Sequence, residues 1–460
     1  MNDLSLPHAG QQTRAPLQRL TLLALCLAVL VAQVDTAIIN LAARPIGMAL
    51  AAETSQLQWV VDSYNLVYAS LLLTGGLLAD LRGRRLVFMI GAALFTVASV
   101  ICTVAPEVTT LIAGRALAGL GAALLIPASL ALIRVVWPDQ ATRGRVLGIW
   151  AACNGVALAI GPTLGGVLIH VWGWRSVFLA VVPFSVAAVV LAALYVPESA
   201  DPQARHFDPG AQLTGALALA TLAFAAIEAH ARWPWAVAAL IVCALAAALF
   251  VRIEKHQGKA ALVPLDLFGI AAFRGAAAGT IGMTFGMYAV LFLLPLTWQG
   301  SGQLSTTAAG LALMPMALVF VLVSPFSGAG TRHWGVRSMT CGGVLVIAGG
   351  LALIGLSAGS CQLLIAEIGL ALTGLGMGMA TGPLMGAAVG AVQAARAGTA
   401  SSLINVARMA GATLGVAILG AIYTMAGGGP AGLRAAMATG VTVQLVCVAL
   451  AWRHIGTTHT

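Results

Sequence analysis

Gly76-Leu77-Leu78-Ala79-Asp80-Leu81-Arg82-Gly83-Arg84-Arg85 is a charged reversal between two apolar runs, and the chain carries it twice. The second copy, Gly328-Ala329-Gly330-Thr331-Arg332-His333-Trp334-Gly335-Val336-Arg337, keeps Gly328, Gly335 and Arg337 of the pattern. The same offset, without a gap, lays Leu111-Ile112 on Leu363-Leu364 and Arg115 on Glu367. Two copies of one multi-helix unit are the expectation.

The runs around these reversals are long enough to decide the solvent. A helix needs ~20 apolar residues to cross the hydrocarbon of a bilayer. Runs of that kind fall near 20–42, 57–79, 86–105, 109–135, 146–170 and 176–196, then 211–229 and 235–251. Six more lie near 275–298, 308–330, 338–358, 361–384, 399–424 and 433–452. The expectation is an all-α membrane protein with about fourteen spans. Its segments are an N-terminal stretch (1–19), a six-helix half (20–197), two inserted helices with a basic linker (198–274), a second six-helix half (275–453) and a tail (454–460).

Composition agrees. Of 460 residues 60% are hydrophobic and 8% charged, against about 25% charged in an ordinary soluble domain. Fourteen acidic side chains cannot cover a surface of this size. The net charge of +9 is spread through short connectors and does not form the basic face a nucleic acid requires. With the N-terminus inside, cytoplasmic connectors hold the Arg82–Arg85 cluster, Arg134, Arg143, Arg145, Arg205, Arg252, Lys255, Lys259, Arg274, Arg332, Arg337 and Arg396. The opposite connectors hold only Arg44, Arg175, Arg232 and Arg434, so both termini are expected in the cytoplasm. The first apolar run has no small-residue cleavage site after it and reads as a span, not a leader. The seven cysteines lie within apolar runs without metal-ligand spacing, so no metal or other cofactor is expected.

Four further motifs give the pattern a family. Asp35-Thr36-Ala37-Ile38-Ile39-Asn40 lies in the first span, and Arg115 with Gly119 in the fourth. Gly148, Gly161-Pro162, Gly165 and Gly166 follow in the fifth, and Gly398 to Gly415 with Ser401, Asn405 and Arg408 in the thirteenth. With the Gly76–Arg85 turn, these resemble the fourteen-span drug:proton antiporter branch of the major facilitator superfamily, although Ala157 stands where that family usually has Gly. The resemblance implies a proton-coupled exporter of small apolar compounds in the bacterial cytoplasmic membrane. It also implies that Gly76, Asp80, Gly83, Arg84 and Arg85 lock the two halves together in the outward-facing state.

Physical reading of the residues runs beside this. Gly76 and Gly83 permit close approach and a tight reversal, and Asp80 can pair with an arginine or meet a helix N-terminus. Gly161, Gly165 and Gly166 strip one helix face, while Pro162 bends the helix. A charge at mid-membrane costs ~2.5–3.5 kcal/mol on insertion scales, which singles out Asp35, Asp62, Arg115 and Glu367 as proton-coupling candidates. Desolvation favours the protonated form of such a carboxyl and a nearby arginine favours the carboxylate, so Asp35 and Arg115 suggest a switch. Asn65, Asn154, Met283, Phe285, Met287, Tyr288 and Asn405 are candidate substrate contacts near the midplane. The late spans carry Arg408 and no carboxylate beyond Glu367, which favours neutral, monocationic or weakly anionic substrates.

Rival classes are a proton-coupled importer of the same fold and a non-transporting receptor. A receptor has no need of Asp35, Arg115 and Glu367 within spans. No phosphate loop of an ATP-driven pump occurs, and no catalytic constellation suggests an enzyme. The expected partners are a small-molecule substrate, protons and lipid, with the chain acting as a monomer.

Overall fold

The computed structural model describes residues 14–200, 208–229, 232–258, 263–359, 362–393 and 396–456. Apart from two short 3-10 turns, regular structure among them is α-helical, and no strand occurs. The first set of helices is α1 (Arg14–Leu50), α2 (Thr54–Arg82), α3 (Arg84–Val104), α4 (Val108–Val136), α5 (Gln140–Trp172), α6 (Ser176–Leu179) and α7 (Val182–Tyr195). A pair follows, α8 (Pro209–Glu228) and α9 (Trp233–Gln257). The second set is α10 (Ala271–Gly300), α11 (Thr306–Ala312), α12 (Met314–Val323), α13 (Ser327–Ser357), α14 (Leu363–Gly390), α15 (Ala397–Met425) and α16 (Gly429–His454).

Twelve of these stretches are long and apolar enough to cross a membrane, or thirteen if the bent α5 is taken as one span. The count is therefore twelve to thirteen where the sequence suggests fourteen. One of the twelve, Thr306–Ser357, is 52 residues long and contains α11, α12 and α13. Gly335 interrupts it with a non-helical φ of 79°.

The internal repeat is visible in the backbone. The offset that carries Gly76 onto Gly328 carries the first residue of α2, Thr54, onto the first of α11, Thr306. It carries Gly83, at φ 114°, onto Gly335. Both reversals use a conformation that side-chain-bearing residues rarely adopt, which explains why glycine survives in the degraded copy. The offset also carries Gly91 onto Gly343. A Cβ on the first would lie 2.7 Å from the Gly121 carbonyl, and one on the second 2.7 Å from that of Gly376.

Helix starts are specified locally. Asp139 accepts from the Thr142 amide ahead of α5, Asp208 from Gly210 and Ala211 ahead of α8, and Ser305 from Ala308 ahead of α11. Each satisfies amide donors that the first helical turn leaves free. α5 bends by 43° between Arg145–Ala157 and Ile160–Trp172. Pro162 sits just past the bend, where its missing N–H frees the carbonyl one turn back.

The end of the bundle with the 50–54, 172–176 and 300–306 connections is here called the far end, and that with the termini the near end. The largest apolar core joins both helix sets toward the far end, Ile38, Leu41 and Val60 packing with Phe292, Leu313 and Val416, and continues along the second set to Leu384 and Ile455. Toward the near end the core divides. One cluster is built mainly on the first set around Phe88, Phe95 and Leu132, and another on the second around Leu267, Phe273 and Leu403. α8 packs on α9, on α2 and on α15, so the pair covers one seam between the sets. The outer face of α9 exposes Trp233, Trp235 and Leu245, as suits a helix solvated by lipid.

Candidate functional site

Asp35 and Arg115 meet in the interior. Arg115 Nη1 donates to Asp35 Oδ2, and the two residues are 1% and 4% exposed, Arg115 the less. The guanidinium is held twice more: Nε donates to the Val60 carbonyl at 3.1 Å, and its carbon lies 4.6 Å from the centroid of the Tyr64 ring. Gly119 makes this reach possible, since a Cβ there would stand 2.5 Å from the Tyr64 carbonyl. α2 and α4 can therefore approach until an α4 arginine spans to α1. A buried charge of either sign is costly alone; here each offsets the other. Tyr64 and the Val60 carbonyl were not singled out from sequence, and a tyrosine one turn before another, Tyr68, gives no signal of an arginine platform.

The other two acidic candidates lie apart. Asp62 is fully buried on α2, and neither carboxyl oxygen has a hydrogen-bond partner among the described residues. Glu367 is half-buried on α14, whose main neighbours, α13, α12 and α10, all belong to the second helix set. The four proton-coupling candidates thus divide into a pair, Asp35 with Arg115, and two separate carboxyls.

The turn motif closes on its own half. Asp80 pairs with Arg84 at 2.7 Å, one helical turn on. Glu198, beyond α7, accepts from the amides of Arg85 and Leu86 at 3.1 Å each and so caps α3. The Arg84 amide donates to the Ser199 carbonyl at 2.8 Å, and Arg85 Nη1 to that of Val196 at 3.3 Å. Glu198 was missed because a carboxylate after the last span of a half reads as a solvated loop residue. One expectation is corrected: the close approach is made by Gly75, whose Cβ would lie 1.9 Å from the Ala123 carbonyl. A Cβ on Gly76 would meet only Pro127 Cβ, at an ordinary 3.5 Å.

The α5 motif divides its small residues between two neighbours. A Cβ on Gly161 or Gly165 would come within 2.6 Å of Ala37 or Ile38 on α1. Gly166 instead faces α11 of the other half, where a Cβ would lie 2.9 Å from Thr307 Cα. The Thr307 hydroxyl donates to the Gly166 carbonyl at 3.1 Å. Gly148 is exposed with open space around it. Two glutamines reinforce this far-end closure. Gln58 donates to the Val416 and Ala417 carbonyls at 3.1 and 3.2 Å, and Gln299 to that of Leu41 at 3.3 Å.

Of the substrate candidates, Met283, Phe285 and Met287 lie midway along α10, buried in the core that joins the two helix sets. Asn65 is buried, while Tyr288 and Asn405 are half-buried, Asn405 donating to the Ser401 carbonyl of its own helix. The side chain of Asn154 lies outside the described ones.

Comparison places this geometry. The family model described as Major Facilitator Superfamily matches residues 25–416. The chain belongs to the Major Facilitator Superfamily. Among its relatives, "Multidrug resistance protein Stp" of Mycobacterium tuberculosis is 34% identical over 409 residues, covering 88% of this chain and 76% of that one. "Methylenomycin A resistance protein" of Streptomyces coelicolor is 30% identical over 403 residues, 87% of this chain and 84% of that one. A bacterial homolog of the human lysosomal transporter Spinster, solved inward-facing and unoccupied, shares the fold with a TM-score of 0.70. That likeness covers 96% of this chain and 97% of that one at 16% identity. This superfamily member is a multi-pass membrane transporter and not an enzyme.

Proposed function

We propose that the chain exports small, largely apolar compounds across the bacterial cytoplasmic membrane by exchange with protons. The observation that carries the reading is the buried Asp35–Arg115 pair, a titratable group and its counter-ion enclosed between α1, α2 and α4. Relatives named for multidrug and methylenomycin A resistance support the export direction. Fourteen spans follow if the 52-residue stretch Thr306–Ser357 is two crossings hinged at Gly335 and α5 is one. An even count keeps both termini on one side, and the basic near-end connectors make that side cytoplasmic.

The far end is then external, and this conformation is sealed against the outside by Gln58, Gln299 and the Gly166–Thr307 contact. With Asp35 on Arg115 the site is proton-free. Arrival of an external proton releases Arg115, and substrate or returning Arg115 displaces the proton to the inside. No cofactor is required. Each proton crossing about 100 mV yields ~2.3 kcal/mol, enough for a roughly fifty-fold gradient of a neutral solute.

The test is proton flux in liposomes holding an internal pH dye, with wild type and Asp35→Asn. Substrate-dependent flux in wild type that vanishes in the variant supports the reading. Flux that survives in Asp35→Asn removes Asp35 from the proton path. Accumulation of compound with the proton gradient, in place of exchange against it, establishes an importer.

A further inference from the structure

A second group of buried polar atoms lies where α2 of one half meets α15 of the other. Gln58 fixes the register there. Its amide reaches the Val416 and Ala417 carbonyls, and a Cβ on Gly420 would lie 1.9 Å from Gln58 Nε2. The stripe of α2 through Gln58 therefore faces the stripe of α15 through Ala417 and Gly420. The helices run in opposite directions. One turn toward the near end, the same stripes carry Asp62 on α2 and Thr413 on α15, and Asn65 follows Asp62 on the same face.

These three side chains are 0%, 4% and 1% exposed, in the order Asp62, Thr413, Asn65. Both Asp62 oxygens, Asn65 Oδ1 and Nδ2, and Thr413 Oγ1 have no hydrogen-bond partner among the described residues. Buried polar groups without partners are rare enough to need an explanation. No arginine supplies one: Arg115 is committed to Asp35, and Arg408 lies five residues before Thr413, turned by about 140° around the helix. No ion pair to Asp62 occurs among the described residues. α8 shields the seam from lipid, with Trp59 and Phe224 ring centroids 6.3 Å apart and Gln212 donating to the Ser70 carbonyl.

We propose that Asp62, Asn65 and Thr413 bind a sodium ion. The group offers one negative charge and four oxygens but a single amide donor, which is the complement of a hard monovalent cation. A divalent ion would leave an unbalanced positive charge at membrane depth. Gln58, one turn farther out, closes the site toward the far end, so the ion enters when the seal between Gln58 and α15 parts. Binding does not depend on which compound the transporter exports; only the external side of entry rests on the orientation proposed above.

The experiment is equilibrium binding of radioactive sodium to the purified full chain, at constant ionic strength held with choline. Wild type, Asp62→Asn and Thr413→Val are compared, each checked for a monodisperse elution profile. The expected result is saturable binding of one ion per chain, displaced by unlabelled sodium. Affinity falls at least ~10-fold in Asp62→Asn and by a smaller factor in Thr413→Val. Absence of saturable binding in wild type overturns the proposal and leaves the polar atoms holding water only. Absent sodium binding, with substrate-driven proton flux lost in Asp62→Asn, also overturns it and makes Asp62 a proton carrier. Export by exchange stands in that case.

Discussion

Gly310→Ala should weaken the far-end seal, and the structure sets the size of the effect. A Cβ on Gly310 would lie 2.4 Å from the Pro162 carbonyl oxygen and 3.1 Å from Leu41 Cδ2. Comfortable separations between such atoms are about 3.5 Å, so α11 and α5 must part by roughly 1 Å. Overpacking of this kind costs ~1–3 kcal/mol, while replacing Gly by Ala in a helix returns ~0.8–1 kcal/mol. The propensity gain is common to both conformations, so the sealed one should lose ~1–3 kcal/mol relative to the one open at the far end, a shift of about 5- to 150-fold. Gly349→Ala is the control, because a Cβ there meets nothing within 4 Å. Amide hydrogen exchange across Thr306–Ala312 reads the seal, and melting temperature reads total stability. Gly310→Ala should exchange faster than wild type and melt lower, while Gly349→Ala should do neither. If Gly310→Ala exchanges like wild type and melts like Gly349→Ala, the contact with Pro162 does not hold the halves together.

Other outcomes test the interior and the turn. Asp35→Asn leaves Arg115 buried without its counter-charge and should cost ~3–5 kcal/mol; adding Arg115→Gln should recover much of the melting temperature but not proton flux. Glu198→Ala removes the acceptor of the first α3 amides and should cost ~0.5–2 kcal/mol in melting experiments. Gly83→Ala should destabilise more than Gly76→Ala, because Gly83 has φ 114° and its Cβ would press on Glu198 Oε1 at 2.9 Å; equal melting temperatures would refute this. Gln58→Ala should raise exchange around 413–420 by unmaking two bonds worth ~0.5–1.5 kcal/mol each.

The features legible in the sequence are those whose cause is local. The Gly83 reversal was legible because a positive φ and a cluster of arginines both leave marks within ten residues. The charges of Asp35 and Arg115 were legible because hydrocarbon penalises them wherever they stand. What joins the halves was not. Gln58, Gln299 and Thr307 sit near span ends, where polar residues are ordinary, and only their cross-half partners give them a role. The choice of Gly75 over Gly76 depends on which side of α2 meets α4, and uniformly apolar helices carry no stripe to show it. Met283, Phe285 and Met287 failed to stand apart from packing for the same reason: in an apolar chain, core and cavity draw on the same side chains.

The α8–α9 pair has a mechanical consequence. α8 touches α2 and α15, but Gln212 bonds it to Ser70 and Thr74 on α2, with no bond to α15 among the described residues. When the halves rock, α8 travels with the first half as a passenger, and α15 must slip along its face. α8 thus covers that seam from lipid without tying the two halves together. The side where α5 meets α11 and α12 carries no such cover among the described residues: Ile160, Leu164 and Leu318 are exposed there, and the halves meet directly through Thr307 and Gly166.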